Sequence, residues 1–163
     1  MSITCFADAF AAILGNEGTF VDNPADPGGA TMYGITAAVA QAWGYGGPMQ
    51  SLPIATAQAI AKTNYWDAYQ CDQFDARIGF NVFDASYNGG HPVQWLQAAA
   101  GVTQDGVIGA ITIAAVRALD PLTIIARFNA SRLAYYTSLA SEWPIFGKGW
   151  VNRISNNLAV SAS

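Results

Sequence analysis

Asp75-Ala-Arg-Ile78-Gly-Phe80-Asn-Val82-Phe83-Asp84-Ala-Ser-Tyr87-Asn88-Gly89-Gly90 decides the fold class. Ile78, Phe80, Val82, Phe83 and Tyr87 make residues 75–88 read as a buried helix, which Gly89-Gly90 stops. A buried helix needs partners around it, and the flanking sequence supplies them as further helices. Upstream, the Ala-rich segment from Ile54 to about Tyr69 is helical, with Ile60, Tyr65 and Trp66 as its packing residues. Downstream, Pro92 opens a helix that Gly101 closes, and a further helix spans about 110–119. Asp120-Pro121 is an N-cap and first-turn pair for a long helix reaching Ser141, after which Trp143-Pro144 is expected to break the chain before a short helix near 148–160.

At the N-terminal end, Phe6, Phe10, Ile13 and Leu14 recur at helical spacing, so residues 3–16 form an amphipathic helix that Gly15, Asn16 and Gly18 end. Thr36 reads as the N-cap of a short helix through Trp43, and Gly44 to Pro53 as a loop. Residues 19–35 hold the only strand candidates, so at most a short β-hairpin or irregular loop is expected there. The fold class is mainly α. With no linker or repeat, residues 1–163 are expected to form one compact domain, in which 1–69 and a helical part, 70–163, share the core.

Composition narrows the function. A chain of 163 residues with 52% apolar content can build a real core and is not disordered. Only 11% of residues are charged and the net charge is −4, which argues against nucleic-acid binding, since phosphates need a basic stripe. No run of 18 apolar residues exists, so no membrane insertion is expected. Met1 to Gly15 lacks a leading positive charge and contains Asp8, making a poor signal peptide. Cys5 and Cys71 lack metal-ligand spacing and read as buried thiols rather than a disulfide; His91 is the single histidine. Metal chemistry and His-based nucleophilic dyads are disfavoured, and no cofactor or metal is expected.

The chemistry-bearing residues cluster in Glu17-Gly-Thr-Phe-Val-Asp22-Asn-Pro-Ala-Asp26-Pro-Gly-Gly-Ala-Thr31-Met-Tyr33-Gly34-Ile-Thr36. Glu17 ends an apolar helix, where the negative end of the helix dipole and neighbours Ile13, Phe20 and Val21 disfavour its ionised form. A general acid working near neutral pH needs that raised pKa. A loop tightened by Pro27, Gly28 and Gly29 can return Asp26 and Thr31 opposite Glu17. In an inverting glycosidase the second carboxyl lies about 6.5–9.5 Å from the first, leaving room for water. Asp22 is the competing carboxylate. Tyr33 is a candidate for stacking on a sugar ring, and Asn88 either donates to substrate or ends its helix. Trp66 and Trp95 read as core; Trp143 and Trp150, beside Pro and Gly, are weaker stacking candidates.

Glu17-Gly18, Asp26-Pro-Gly-Gly, Thr31 and Gly34-Ile-Thr resemble the signature of glycoside hydrolase family 108, the N-acetylmuramidases that cut peptidoglycan. Tyr65-Trp-Asp-Ala, Asp84, Asn88-Gly-Gly and Leu96-Gln97 with Asp105-Gly106, Gly109 and Thr112 resemble its C-terminal, peptidoglycan-binding region. Arg132-Leu-Ala-Tyr-Tyr and Phe146-Gly-Lys-Gly-Trp150 with Arg153 resemble its end, so the likeness spans nearly the whole chain. One departure is Thr19, where the family usually has a second glycine. The resemblance implies a lysozyme-like helical fold, bacterial peptidoglycan as partner, a monomer, and Glu17 as catalytic acid, with the first part of the chain, 1–69, catalytic. It further implies hydrolysis of the β-1,4 bond between N-acetylmuramic acid and N-acetylglucosamine, with Asp26 and Thr31 orienting water. The expected setting is a phage endolysin made in the host cytoplasm and released to the periplasmic wall by a separate pore; a secreted effector is the second setting. A lytic transglycosylase and a non-catalytic peptidoglycan-binding or secretion-helper module are the alternatives.

Overall fold

The computed structural model describes residues 2–16, 20–21 and 30–163. Among them the helices are α1 (Phe6–Asn16), α2 (Ala37–Ala42), α3 (Ile54–Ala61), α4 (Ala76–Tyr87), α5 (Pro92–Ala100), α6 (Ala110–Arg117), α7 (Pro121–Ser138) and α8 (Trp143–Ser161). Between α1 and α2 lie three two-residue strands, β1 (Phe20–Val21), β2 (Thr31–Met32) and β3 (Ile35–Thr36), antiparallel in that order. The fold is mainly α.

Local chemistry sets the helix ends. The Asp75 carboxylate accepts from the Arg77 backbone N–H and caps α4, while Asp120 accepts from Thr123 N–H and caps α7 ahead of Pro121. Thr36 caps α2 by accepting from Val39 N–H at 3.3 Å, as its position in the sequence predicts. Gly101, at φ 72°, closes α5 in the left-handed conformation that glycine adopts without strain.

α4 is the central helix. It packs on α1, α5 and α7, and Phe83 meets Phe6, Trp66 and Tyr87 edge-on at centroid distances of 5.1–5.7 Å. The close approach depends on Gly79, where a Cβ would sit 2.9 Å from the Cys71 carbonyl oxygen and 3.2 Å from the Trp66 ring. One apolar cluster runs from Ile3, Phe10 and Ile13 through Phe80 and Phe83 to Ile124, Phe128 and Ile154, so first and last helices bury side chains in the same core.

The structure departs from the sequence expectations in four places. Pro144 does not break the chain: it sits in the first turn of α8, where the missing N–H has no helical partner to lose, and α7 ends earlier at Ser138. α3 passes directly into a π-helical turn, Lys62–Asp67, instead of remaining α-helical to Tyr69. The strand region carries three strands, because Tyr33-Gly34 turns β2 back onto β3. Cys71 is buried, and burial raises its thiol pKa, but Cys5 is exposed, just before α1.

Candidate functional site

Glu17, Asp22 and Asp26 lie outside the described residues. Thr31 is described: it is half-buried in β2, opposite Val21 of β1 and Thr36 of β3. Two residues on, Tyr33 has φ 55° and Gly34 φ 77°, the pair of left-handed residues a two-residue hairpin turn requires. A tyrosine pays for that conformation where asparagine or glycine would not, and such outliers concentrate at functional sites. Its ring is half-buried against the core. Thr31 and Tyr33 therefore share one hairpin.

Asn88 belongs to a different wall. It ends α4, where its Nδ2 donates to the Asp84 carbonyl oxygen at 2.9 Å. It is exposed and lines a groove of ≈ 460 Å³ with Ile145, Phe146, Gly149, Trp150, Asn152, Arg153 and Asn156 of α8. Asn88 thus ends a helix and lines a groove.

Behind the groove lies a buried polar network. Asp84 is fully buried in α4 and accepts from Arg132 Nη1 of α7 through Oδ2 and from Arg153 Nε of α8 through Oδ1, each at 2.7 Å. A buried carboxylate needs such partners, since desolvation otherwise forbids its charge. Arg132 also donates through Nε to the Tyr136 hydroxyl at 3.1 Å, and the Tyr136 ring stacks on Trp150 at 4.5 Å. Trp150 in turn lies 5.8 Å from Phe146. One carboxylate thereby locks three helices and fixes the aromatic wall of the groove.

The Asp105-Gly106…Gly109…Thr112 motif does a different job. The buried Gln97 side chain donates to Asp105 Oδ1 (2.6 Å), the Val107 carbonyl (3.0 Å) and Thr112 Oγ1 (3.2 Å), and accepts from Gly106 N–H (3.0 Å). The amide buckles the loop before α6 onto α5, and its hydrogen bond holds the Asp105 carboxyl below the usual Asp range. A shallow cavity of ≈ 440 Å³ opens beside this buckle, lined by Thr103, Asp105 and Ile111. Among the described residues no group of three His, Cys, Asp or Glu side chains converges as a metal site requires, and no helix is long and apolar enough to cross a membrane.

Sequence reasoning singled out Asn88 and Trp150 but gave no role to Phe146, Asn152, Arg153 or Asn156. The signal was available: positions 145, 146, 149, 152, 153 and 156 fall on one face of a helix at 3.6-residue spacing. Placing a helix break at Pro144 hid the first turn of that face.

Comparison with known proteins now adds the identity of the scaffold. Residues 10–90 match the model of glycosyl hydrolase 108, and residues 91–155 that of a predicted peptidoglycan domain. The solved structure of Brucella abortus SagA is similar, with 38% sequence identity and a TM-score of 0.84, covering 97% of this chain and 96% of that one. No curated protein sequence matches the chain. The chain belongs to the glycosyl hydrolase 108 family and is a glycoside hydrolase acting on peptidoglycan.

Proposed function

We propose that this family 108 hydrolase is an N-acetylmuramidase that cleaves the β-1,4 bond between N-acetylmuramic acid and N-acetylglucosamine. The observation that carries the reading is the family match over residues 10–90, which contains Glu17, Asp26 and Thr31 together with the described Thr31–Tyr33 hairpin. Glu17 is the general acid: it protonates the glycosidic oxygen as the bond breaks, and the charge left on the sugar is quenched by water. Asp26 and Thr31 hold that water on the opposite face, Asp26 as base and the Thr31 hydroxyl as orienting group, so that the anomeric centre inverts. Tyr33 offers its ring to a sugar. The place of action is the bacterial wall, reached from a lysing host cell through a separate pore.

The test is a turbidity assay on permeabilised Gram-negative cells. Since a general acid contributes roughly 10²–10⁴-fold, Glu17→Gln abolishes lysis while circular dichroism stays native. Asp26→Asn lowers turnover far more than binding, and Thr31→Val gives a smaller loss in the same direction. Lysis by Glu17→Gln at the wild-type rate contradicts the assignment, and an inactive Asp22→Asn beside an active Asp26→Asn moves the base to Asp22.

A further inference from the structure

We propose that the groove between Asn88 and the α8 face is a glycan subsite, which holds N-acetylated amino sugars of the wall strand rather than its stem peptide. The inference rests on peptidoglycan as substrate and is independent of which residue is the acid. Four observations converge on it.

The first is the wall itself. Phe146 is 51% exposed and stands beside Trp150, so the groove shows an aromatic surface of the kind that packs on the apolar face of a pyranose. The second is the polar lining, which is made mainly of amides. Asn88 is exposed and lines the groove, Asn152 is exposed with no side-chain hydrogen bond to another described residue, and Asn156 lines it with a third amide. An Asn amide offers both donors and acceptors, the complement of sugar hydroxyls and acetamido groups.

The third is charge. Among the described residues that line the groove Arg153 is the only charged one, and its Nε is already bonded to the Asp84 carboxylate, while the chain as a whole carries a net −4. Among the described lining residues a stem peptide with several carboxylates finds no cation that is not already paired with a carboxylate, whereas a neutral sugar needs none. The fourth is rigidity and reach. The Asp84–Arg132–Tyr136–Trp150 series fixes the wall, and the lining residues from Ile145 to Asn156 extend about 16 Å along α8, enough for more than one sugar ring.

Gly149 supplies a clean test, because a Cβ there meets nothing within 4 Å: a larger side chain would project into the groove without disturbing the core. The experiment titrates the full chain carrying Glu17→Gln, so that sugar is not consumed, with chitotetraose, with peptide-free glycan strands and with a free stem tetrapeptide, by calorimetry. The two sugars bind and the tetrapeptide does not. Phe146→Ala and Asn152→Ala each weaken sugar binding roughly three- to tenfold. Gly149→Leu removes it while the melting temperature holds or rises, as replacing a helix-interior glycine should. Lys148→Ala, which does not line the groove, leaves binding unchanged. Failure of chitotetraose to bind, binding by Gly149→Leu equal to the parent, or preferential binding of the tetrapeptide would each overturn the proposal. If instead groove-dependent sugar binding is seen in a protein that cleaves no wall, the muramidase reading fails and the subsite stands.

Discussion

Arg132 Nη1 donates to Asp84 Oδ2 at 2.7 Å, and both side chains are completely buried. Removing one partner of such a pair leaves an uncompensated charge in the interior, whereas replacing both by apolar groups of similar volume does not. Arg132→Met leaves Asp84 paired with Arg153 alone and takes the partner from its Oδ2, so it should cost about 1–3 kcal/mol in urea denaturation. The double variant Arg132→Met with Asp84→Leu should recover only part of that loss, because it also removes the Asp84 carboxylate from the largely buried Arg153. A single-variant loss under about 1 kcal/mol would mean that the pair does not carry α7 against α4.

The Gln97 buckle makes a second prediction. Gln97→Leu leaves Gly106 N–H and Thr112 Oγ1 without their amide partner and should lower stability by about 1–3 kcal/mol. Asp105 gives the pH signature. Its carboxyl pKa is depressed in the folded chain, chiefly by the Gln97 amide, so its contribution to stability is complete above the ordinary Asp value. That contribution is lost as pH falls through the lower folded value. Asp105→Asn should flatten this part of the acid limb of a melting-temperature profile; an unaltered limb would contradict the assignment.

These two networks also show what the sequence can and cannot reveal. The helices are legible because Phe80, Phe83, Tyr87 and their neighbours recur within one apolar stretch, and because Asp120 and Thr36 are local capping signals; the Asp75 cap of α4 is seen only in the structure. Asp84 within an apolar helix announces that a buried cation must exist, but Arg132 and Arg153 lie 48 and 69 residues away, and only packing pairs them. The π turn at Lys62–Asp67 has no local signature. It coincides with bonds between near neighbours in the chain: Lys62 bonds Asp67, five residues on, and the Trp66 indole donates to Asp72 at 2.7 Å. Pro144 misled because proline ends one helix and starts another with equal ease. Of the candidate residues, Thr31 stands in the motif and Tyr33 is a stacking candidate beside it, whereas the turn that gives Tyr33 its positive φ is visible only in the hairpin.

Tyr33 gives the third prediction. Tyr33→Asn places a residue at ease in the left-handed turn and removes the ring. Relief of backbone strain and loss of half-buried packing oppose each other, so stability should change by less than about 1.5 kcal/mol. Sacculus hydrolysis should nonetheless fall, mainly through KM. Unchanged KM would show that the strain at Tyr33 serves the turn alone.

A fourth prediction concerns cooperativity. Because Phe10 and Ile13 of α1 and Ile154 of α8 belong to one apolar cluster, the chain should unfold in a single transition with equal calorimetric and van't Hoff enthalpies. Residues 1–69 alone should be insoluble or inactive, lacking α4 as their packing surface. Two resolved transitions would place a boundary inside the core.

The most direct measurement is mass spectrometry of sacculi digested by wild type and by Glu17→Gln. Acid-assisted attack by water predicts soluble muropeptides with hydrated, reducible muramic acid ends from the wild type, and none from Glu17→Gln. Anhydro-muramic ends would show that the 6-hydroxyl rather than water attacks, and reducible ends from Glu17→Gln at the wild-type rate would remove Glu17 from the chemistry altogether.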